Sequence, residues 1–350
     1  MTIVHISSSL GGGGAEQMVF QLAKQSNAIT KTVVISISEV NTLEHKFNDE
    51  NIEVHFLNIT SFKNRTLFLG LKKTHDIVNG LPDVVFHCHQ FHGGLFGMLY
   101  NIWYSRIPIV YTMHTNQVSS FVRRACLYVS KPLRKRDIIF SENSKKWYLK
   151  NNEIIPNGVD FKLLSLNKQR KYDSSQPFVF LFLGRLSPPK NPLALPYFAK
   201  KLKENGFFNF IIHVIGEGSL REQLWEEISK NNLKEHFKLF GFQKDVKQFL
   251  EHSQSLILPS LWEGMPMAVI EAAANKLPVI ATPVGSVPDF LNEHNAYVSN
   301  LESFSEAMIH VMKNYSEALS KSELLYKEIK TIFSIESVHN KHFDVYRSVR

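Results

Sequence analysis

Short apolar segments alternate along the chain with longer stretches in which apolar residues recur every three or four positions. The apolar segments of the first half are TIVHIS, KTVVISIS, EVHFL, DVVFHCH and IPIVYTMH, and AEQMVFQLAKQ is typical of the stretches between them. Short apolar runs rich in β-branched residues predict buried strands, and a period of three to four residues predicts amphipathic helices. The alternation of the two predicts a parallel sheet covered by helices on both faces.

The same rhythm restarts after IIPNGVD, at residues 154–160. FVFLFLG, FIIHVIG, FKLFG and SLILPS predict the strands of a second sheet, and SIESVHNKHFDVYRSV predicts a terminal helix. We therefore expect an α/β fold of two Rossmann-like doubly wound domains, residues 1–158 and 159–332, facing each other across a cleft and followed by a helix over residues 333–350. Open parallel sheets bind ligands beyond the carboxyl ends of their strands, so the loops that follow strands are the places to look for chemistry.

Composition places the chain of 350 residues, 44% hydrophobic and 21% charged, among soluble globular proteins. Its longest apolar run, FVFLFL, is far too short to cross a bilayer, and the start MTIVHISSSLGGGG lacks the basic region of a signal peptide. Two cysteines, Cys88 and Cys126, exclude a disulfide framework. A reducing cytoplasm is the expected location.

Most of the net charge of +8 falls in residues 121–150, which hold nine basic and two acidic residues. Apolar residues such as Phe121 and Val122 are interleaved with the basic ones. This pattern describes an ordinary surface helix with an apolar stripe, and it also suits a helix that lies on an anionic membrane. We expect peripheral membrane contact and no nucleic-acid binding, because interleaved stacking aromatics are lacking. The expected membrane patch is Arg123, Arg124, Lys131, Arg134, Lys135 and Arg136.

A glycine-rich loop, Gly11 to Gly14, separates the first predicted strand from the first predicted helix. Glycine lets the backbone approach a ligand, and the amides of a helix N-terminus favour a phosphate. The dinucleotide fingerprint G-x-G-x-x-G is not completed, because Glu16 stands at its third glycine position. A carboxylate there would oppose a pyrophosphate. Ligand binding by the loop and a merely flexible turn both remain open.

A second loop, LGRLSPPKNP at residues 183–192, follows the most apolar predicted strand. Its Arg185 and Lys190 offer a bidentate fork and a mobile point charge, both of which suit a diphosphate. Two basic residues in a loop are more often simply solvated. Their position directly after a buried strand favours the functional interpretation.

A third loop, within LILPSLWEGMPMAVIEAAANK, places two carboxylates, Glu263 and Glu271, eight residues apart. Gly264 and Pro266 fit the start of a helix that carries Glu271, and the free amides from Gly264 to Met267 would form an anion site between the carboxylates. Carboxylates beside a bound diphosphate repel it unless a metal intervenes, and the chain has no D-x-D to hold one. Because carboxylates accept hydrogen bonds from hydroxyls, the implied ligand is a nucleotide-sugar.

The run HCHQFH contains the candidate metal ligands His87, Cys88, His89 and His92. Strand alternation sends His87 and His89 to one face of a sheet and Cys88 to the other, so we expect no metal site. At the end of its strand, His89 fits either the acceptor side of an active site or a structural role.

These segments, taken in order, resemble the family 4 retaining glycosyltransferases, which have the GT-B fold and an E-x7-E motif. The resemblance covers most of the chain. It rests on GGGGAE, DVVFHCH, VYTMHT, SEN at residues 141–143, IIPNGVD, LGRLSPPKNP, VIGEGSLREQL, LFGF and the stretch from Glu263 to Gly285. One departure is a Gly-rich turn that the family often shows after the segment SVPDFL, where this chain has Asn295, a residue that tolerates left-handed turns.

The resemblance implies a role for each matching residue. Glu263 would contact the donor sugar, Glu271 the ribose hydroxyls, and His114 would lie near the transferred sugar. Arg185 and Lys190 would bind the diphosphate and stabilise the leaving group. The remaining positions implied for the donor are Gly13, Gly14, Gly216, Gly241, Phe242, Gly264, Met265 and Pro266. His89 and Glu16 are assigned to the acceptor side.

The resemblance also implies a mechanism and partners. Such enzymes are thought to retain configuration by a front-face reaction in which the leaving diphosphate helps to deprotonate the acceptor hydroxyl, and no cofactor or metal is expected. The expected donor is a UDP-sugar and the expected acceptor is a glycan or lipid-linked sugar of a bacterial surface polysaccharide or lipopolysaccharide. The first domain would bind the acceptor, the second the donor, and the last helix would return to the first domain. Two alternatives stay open: another enzyme on this scaffold, such as a sugar-nucleotide epimerase or a phosphorylase, and a non-catalytic sugar-nucleotide-binding protein.

Overall fold

A computed structural model describes residues 1–115, 118–140, 142–166 and 170–350, which fold into two α/β units. Of residues 143, 151 and 152 it describes the backbone. The first unit comprises Met1–Gly158 and Ile335–Arg350, and the second comprises Val159–Ser334. The second unit ends two residues later than the expected boundary at 332, at the extended residue Ser334 between two helices.

The sheet of the first unit has seven parallel strands, which include all five that the apolar segments of the first half predict. The strands are β1 Thr2–Ser7, β2 Thr32–Ser36, β3 Glu53–Phe56, β4 Val84–His89, β5 Ile109–Thr112, β6 Arg136–Ile139 and β7 Asn151–Ile154. Their spatial order is β3-β2-β1-β4-β5-β6-β7. The strand order therefore reverses direction between β1 and β4. A parallel sheet of this kind binds ligands at that switch point.

Helices cover both faces of this sheet. Successive side chains of a strand point to opposite faces, and because β1, β2 and β5 are buried along their whole length, both faces must be covered. They are α1 Gly14–Asn27, α2 Glu44–Asp49, α3 Arg65–Val78, α4 Gln90–Trp103, α5 Phe121–Val129 and, from the end of the chain, Ile335–Ser348. The cluster with Phe86 and Cys88 packs against α3, α4 and α5. The cluster with Ile3, Val85 and Val110 packs against α1 and the terminal helix.

The second unit repeats the plan with six parallel strands. They are β8 Phe178–Leu183, β9 Phe210–Ile215, β10 Phe237–Gly241, β11 Ser255–Leu258, β12 Val279–Ala281 and β13 Tyr297–Val298, in the order β10-β9-β8-β11-β12-β13. The helices are α6 Phe161–Leu164, α7 Leu195–Glu204, α8 Arg221–Lys230, α9 Lys247–His252, α10 Met267–Ala274, α11 Phe304–Lys313 and α12 Tyr315–Phe333; the terminal helix of the first unit is α13. The predicted pair of parallel α/β sheets is confirmed.

Two smaller expectations meet the structure here. Asn295 does not adopt a left-handed conformation. Its side chain instead holds the turn by donating to the carbonyl of Phe290 at 3.0 Å and to Glu328 at 2.6 Å. In the described parts of the chain, no helix has the length and apolar character needed to cross a bilayer.

Candidate active site

The carboxyl edge of the second sheet carries the basic residues expected to meet a diphosphate. Arg185 lies two residues beyond β8, is exposed, and makes no side-chain hydrogen bond or ion pair with any described residue. Lys190 ends a short 3-10 turn, Pro188–Lys190, whose two prolines restrict the backbone. The strand-end loop therefore holds the free guanidinium of Arg185 together with the ammonium of Lys190, whose backbone lies in a restricted turn.

Lys190 forms an ion pair with Glu263, a contact that the sequence did not predict. Its Nζ lies 2.7 Å from Oε1 and 2.8 Å from Oε2 of Glu263, and the Ser260 hydroxyl donates to Oε1 at 2.6 Å. The Glu263 side chain is 3% exposed, whereas that of Lys190 is 24% exposed. A buried carboxylate with three such contacts has a fixed orientation, and it would carry an uncompensated charge if Lys190 moved away. The ion pair therefore links the loop after β8 to the loop after β11.

Two glycines allow the loops at this edge to pass within van der Waals distance of one another. Gly216 has φ +136°, and a Cβ there would lie 2.0 Å from the carbonyl oxygen of Gly184. Gly285 has φ +60°, and a Cβ there would lie 1.7 Å from the carbonyl oxygen of Glu263. Both positions exclude any side chain, so Gly216 shapes the loop after β8. Gly285 was not assigned a role from the sequence. A glycine in the loop that follows a buried strand, here β12, could have indicated a close approach of two loops.

The E-x7-E segment starts a helix as expected, with a smaller set of free amides. Helix α10 begins at Met267 after Pro266. The N–H of Met267 donates to the carbonyl of Met265 at 2.9 Å, and Pro266 has no N–H. Among the described residues, the amides of Gly264 and Met265 have no acceptor, so the expected row of free amides from Gly264 to Met267 is reduced to these two.

Glu271 lies within α10 and is partly buried. Its carboxylate has no hydrogen-bond or ion-pair partner among the described residues. Burial raises the pKa of Glu271 to about 7. An acid that is desolvated and unpaired in this way is a group that a ligand hydroxyl can satisfy.

The loop after β10 presents an exposed aromatic ring. Gly241 has φ +70°, and its carbonyl accepts from the N–H of Gly216 at 2.8 Å. Phe242 follows it and is 70% exposed. Glu217, which the sequence did not single out, lies against Gly241 and forms an ion pair with Arg221 at 3.1 Å. Phe242 therefore has a ring face available for a planar ligand group.

In the first unit, the glycine loop leads into helix α1, and the carboxylate of Glu16 lies close to the end of that loop. Gly13 is the N-cap of α1, Gly14 is its first residue, and Glu16 is buried in its first turn. Oε1 of Glu16 accepts from Ser9 Oγ at 3.0 Å and from Gln90 Nε2 at 3.2 Å, and Oε2 lies 2.6 Å from where a Cβ of Gly13 would stand. The positive end of α1 is thus already met by an anion.

The histidines of HCHQFH separate as strand alternation predicts. The rings of His87 and His89 lie 3.9 Å apart on one face, and Cys88 packs into the core on the other. His92 lies on α4 beside Phe62. The partner that the sequence missed is His5 of β1, which stands in register with His87.

His5, His87 and His89 form the group of described residues whose ring nitrogens could together reach one metal ion, with candidate ligand atoms within 4.8 Å of one another. Hydrogen bonds already occupy both nitrogens of His87, at 2.7 Å from the hydroxyl of Tyr346 and 2.9 Å from that of Thr112. A metal would have to displace these bonds. The donor set therefore fits a hydrogen-bonded core better than a metal centre.

His114 follows β5 in a left-handed conformation, with φ +60°. Its Nε2 lies 2.8 Å from Nδ1 of His89, so two residues that were assigned separately are in direct contact. Burial lowers the pKa of His114 to about 3. The neighbouring SEN segment begins at Ser141, which lies outside the described residues.

The expected membrane patch loses one member, because Arg134 is buried, at 1% exposure. Its Nε and Nη2 bind the two carboxylate oxygens of Asp137 at 2.8 and 2.9 Å, and its Nη1 donates to the carbonyl of Leu127 at 2.9 Å. The assignment of Arg134 to the surface was wrong because the sequence does not show that Asp137, on the adjoining strand, offers a buried bidentate partner. Arg123 and Lys135 are exposed, and Arg124, Lys131 and Arg136 are partly exposed.

Comparison with known proteins covers both units. The family model Glycosyltransferase Family 4 matches residues 12–163, and Glycosyl transferases group 1 matches residues 166–327. The chain is 28% identical, over 75% of its length and 76% of the relative's, to the UDP-Gal:alpha-D-GlcNAc-diphosphoundecaprenol alpha-1,3-galactosyltransferase of Escherichia coli. It is 26% identical, over 78% and 76%, to the Campylobacter jejuni GalNAc-alpha-(1->4)-GalNAc-alpha-(1->3)-diNAcBac-PP-undecaprenol alpha-1,4-N-acetyl-D-galactosaminyltransferase.

Among solved structures, HepE of Anabaena in complex with UDP and glucose superposes with a TM-score of 0.80 at 16% identity, over 99% of this chain and 100% of that one. At this identity the likeness shows a shared fold, and it extends over the whole chain. Because the two family models follow each other along the two units and the fold is that of a known glycosyltransferase architecture, this protein belongs to the family 4 glycosyltransferases and has the GT-B fold.

Proposed function

We propose that this protein is a retaining, metal-independent glycosyltransferase that moves a hexosyl group from a UDP-sugar to a glycan or lipid-linked acceptor. The observation that carries the proposal is the cluster at the carboxyl edge of the second sheet. There a free guanidinium, Arg185, shares a loop with Lys190, and Lys190 is bound to the buried carboxylate of Glu263. Glu271 adds an unpaired carboxyl on the helix that follows Glu263.

Each group in this cluster suits one part of a nucleotide-sugar. In the proposal, Arg185 and Lys190 neutralise the diphosphate, with the free amides of Gly264 and Met265 donating to the same anion. Glu271 accepts hydrogen bonds from ribose hydroxyls. The ring of Phe242 stacks against the nucleobase.

The proposed reaction breaks the bond between the anomeric carbon and the diphosphate and forms a bond from that carbon to the acceptor oxygen on the same face. The departing diphosphate takes the proton of the acceptor hydroxyl, and Arg185 and Lys190 stabilise the charge that develops on it. Glu263 orients a sugar hydroxyl. It is a poor candidate for a nucleophile, because its carboxylate is already bound by Lys190 and Ser260.

The proposed acceptor is a lipid-linked glycan of bacterial surface polysaccharide or lipopolysaccharide biosynthesis. Support comes from the names of the Escherichia coli and Campylobacter jejuni relatives, which describe acceptors linked to undecaprenol through a diphosphate. In the proposal, Glu16 is the acceptor-side group of the first unit and His114 lies near the transferred sugar. His89, also expected on the acceptor side, is fully buried and has both ring nitrogens bound by His5 and His114, so it contacts neither substrate directly.

We also propose that helix α5 holds the first unit on the anionic cytoplasmic face of the membrane. Phe121, Val122 and Val129 are 68%, 75% and 77% exposed, so these three apolar side chains do not pack inward, whereas Leu127 anchors the other face of the helix in the core. Arg123 on the same helix is exposed, and so is Lys135, six residues beyond the helix end. Apolar side chains that enter the headgroup region and cations that meet anionic lipid are the two components of interfacial binding.

The transfer proposal is tested by incubating the protein with UDP-, GDP- and ADP-sugars and an undecaprenyl diphosphate-linked saccharide, with nucleoside diphosphate release as the readout. We expect release from a UDP-sugar that depends on the acceptor, and a product whose anomeric configuration, read by NMR, equals that of the donor. No release with any combination would refute the proposal, and an inverted product would refute retention.

The membrane proposal is tested by sedimentation with vesicles of phosphatidylglycerol and phosphatidylcholine, compared with phosphatidylcholine alone. We expect binding to the anionic vesicles that falls with salt and is lost in the double variant Phe121→Ser and Val129→Ser. Phe68→Ser, at an exposed position on α3, is the matched control and should bind as wild type. Equal binding to neutral vesicles, or no effect of the double variant, would refute the assignment of α5.

A further inference from the structure

Three histidine rings form a continuous hydrogen-bonded row in the first unit. His89, the last residue of β4, is the middle member, with Nε2 3.0 Å from Nδ1 of His5 and Nδ1 2.8 Å from Nε2 of His114. His5 and His89 have no exposed surface, and His114 is partly exposed. Both ring nitrogens of His89 are therefore used to connect a core residue on β1 with a residue at the sheet edge.

Burial favours the neutral form of all three rings. Burial lowers the pKa of His5 and His114 to about 3, and it lowers the pKa of His89 well below its ordinary value. Among the described residues, the other titratable groups that face the row are buried as well, and none of them is a carboxylic acid that would stabilise an imidazolium. They are His87 on β4 and His339, His342 and Tyr346 on α13.

A neutral imidazole has one N–H donor and one acceptor nitrogen, so the row has two arrangements. Either all three rings carry the proton on Nδ1, or all three carry it on Nε2. In the first arrangement His5 donates to His89, His89 donates to His114, and His114 keeps a free Nδ1–H. In the second, every bond reverses and His5 keeps a free Nε2–H.

The ends of the row distinguish the two arrangements. His114 Nδ1 and His5 Nε2 are both buried atoms without a hydrogen-bond partner in the described part of the chain. An unpaired buried N–H is rarer in proteins than an unpaired acceptor. The Nε2 of His5 lies in the core among the rings of His87 and Tyr346, whereas His114 stands at the edge of the sheet. The arrangement with the free donor on His114 therefore avoids a permanently unpaired N–H in the core.

The backbone is strained at the same place. His114 and Gln90 follow adjacent strands and have φ of +60° and +61°, a conformation that costs a non-glycine residue about 1–2 kcal/mol. Gln90 is held by its bond to Glu16, and His114 by its bond to His89. Strained residues of this kind persist where the surrounding contacts determine the position of a side chain.

We propose that His89, itself held by His5, is a positioning residue that fixes the ring of His114 in the Nδ1–H tautomer, so that His114 donates a hydrogen bond to an oxygen of the transferred sugar. The proposal rests on the proposed function, because that function supplies the sugar. It commits to no metal and no net movement of protons through the row. Its content is the orientation and tautomer of one side chain.

The first experiment needs no substrate. Protein labelled with nitrogen-15 in histidine is studied at pH 7 by long-range proton–nitrogen correlation, with single variants used for assignment. We expect the Nδ1–H tautomer at His5, His89 and His114, and a loss of the fixed tautomer at His114 in His89→Ala. A wild-type His114 in the Nε2–H form, or in fast exchange between forms, would overturn the proposal, as would Zn²⁺ shifting the nitrogens of His5, His87 and His89 at equimolar addition.

The second experiment measures kcat and KM for the donor. In His89→Ala we expect kcat to fall about 10- to 100-fold with little change in KM, and added imidazole to restore part of the loss by filling the cavity. Water in that cavity should raise the pKa of His114, so kcat should fall at acidic pH in this variant and not in wild type. His89→Gln, which keeps one donor and one acceptor, covers the case in which His89→Ala does not fold and should retain more activity.

His87→Ala is the matched control. His87 lies on the same strand and face and is equally buried, but its bonds go to Tyr346 and Thr112. Its loss should lower stability without an imidazole-dependent recovery of kcat. Wild-type activity with an unchanged kcat in both His89 variants would overturn this proposal alone. Absence of transfer by the wild type would refute the proposed function, and the tautomer measurement would still decide the arrangement of the row.

Discussion

Replacing Glu271 with Gln tests whether the carboxyl of Glu271 is desolvated and has a raised pKa, as the proposed contact with the donor requires. Burial raises the pKa of Glu271 to about 7, from an unfolded value near 4.5. The folded state therefore binds more protons than the unfolded state between these pH values, and stability falls as pH rises through the window. A difference of about 2.5 pKa units corresponds to about 3 kcal/mol at pH 8.

We expect the stability of wild type relative to Glu271→Gln to fall by up to about 3 kcal/mol between pH 5 and pH 8, because the amide does not ionise. The measurement is urea unfolding of both proteins across this range. Glu302→Gln, at an exposed position, is the control for removal of one carboxylate and should follow wild type. Parallel stability curves for wild type and Glu271→Gln would refute the raised pKa.

The same group predicts a pH dependence of donor binding. If ribose hydroxyls bind the ionised form of Glu271, the affinity for UDP-glucose should be about tenfold lower at pH 6 than at pH 8, since about a tenth of the carboxyl is ionised at pH 6. The diphosphate diester of this ligand has no proton to lose in that range. Calorimetry should show the dependence in wild type and not in Glu271→Gln. A dependence that persists in the variant would refute the assignment to this residue.

Three further predictions concern the ion pairs of Glu263 and Arg134 and the proposed metal independence of the reaction. Glu263→Ala should lower kcat at least about 100-fold, measured by UDP release, while the melting temperature shows an intact fold, because Lys190 can turn towards solvent; an unchanged kcat would contradict its role. Arg134→Leu should destabilise the first unit by about 3–5 kcal/mol in chemical unfolding because it leaves Asp137 buried and unpaired, and Lys135→Ala should change stability by less than about 0.5 kcal/mol; equal effects would contradict the burial of Arg134. Excess EDTA should leave kcat unchanged, and strong inhibition that Mg²⁺ or Mn²⁺ reverses would refute metal independence.

The fold could be predicted from the sequence because the local hydrophobic pattern of each segment agrees with the way the segments pack. TIVHIS, DVVFHCH and FVFLFLG are short apolar runs that have few alternatives to a buried parallel strand. Their regular alternation with amphipathic stretches then leaves few ways to arrange the sheets. The break near Gly158 was visible for the same reason, since the rhythm stops there and starts again.

The residues expected on the donor side were chosen because they lie in loops directly after predicted buried strands. Arg185, Lys190 and Glu263 could be named from that position alone, since a parallel sheet collects the carboxyl ends of its strands at one edge. Their ion pair could not be named. It depends on the distance between two loops that are separated by 73 positions in the chain.

What the sequence determined by itself was therefore the alternation of strands and helices, the two units, and the positions of the loops that carry Arg185, Lys190 and Glu263, because all of these depend on neighbours along the chain. Tertiary structure alone decided which side chains meet. It took Arg134 from the surface to a buried pair with Asp137, and it brought His5 into contact with His89 across two strands. Side-chain pairing depends on the register and spacing of separate elements, and periodicity within one element carries no information about that spacing.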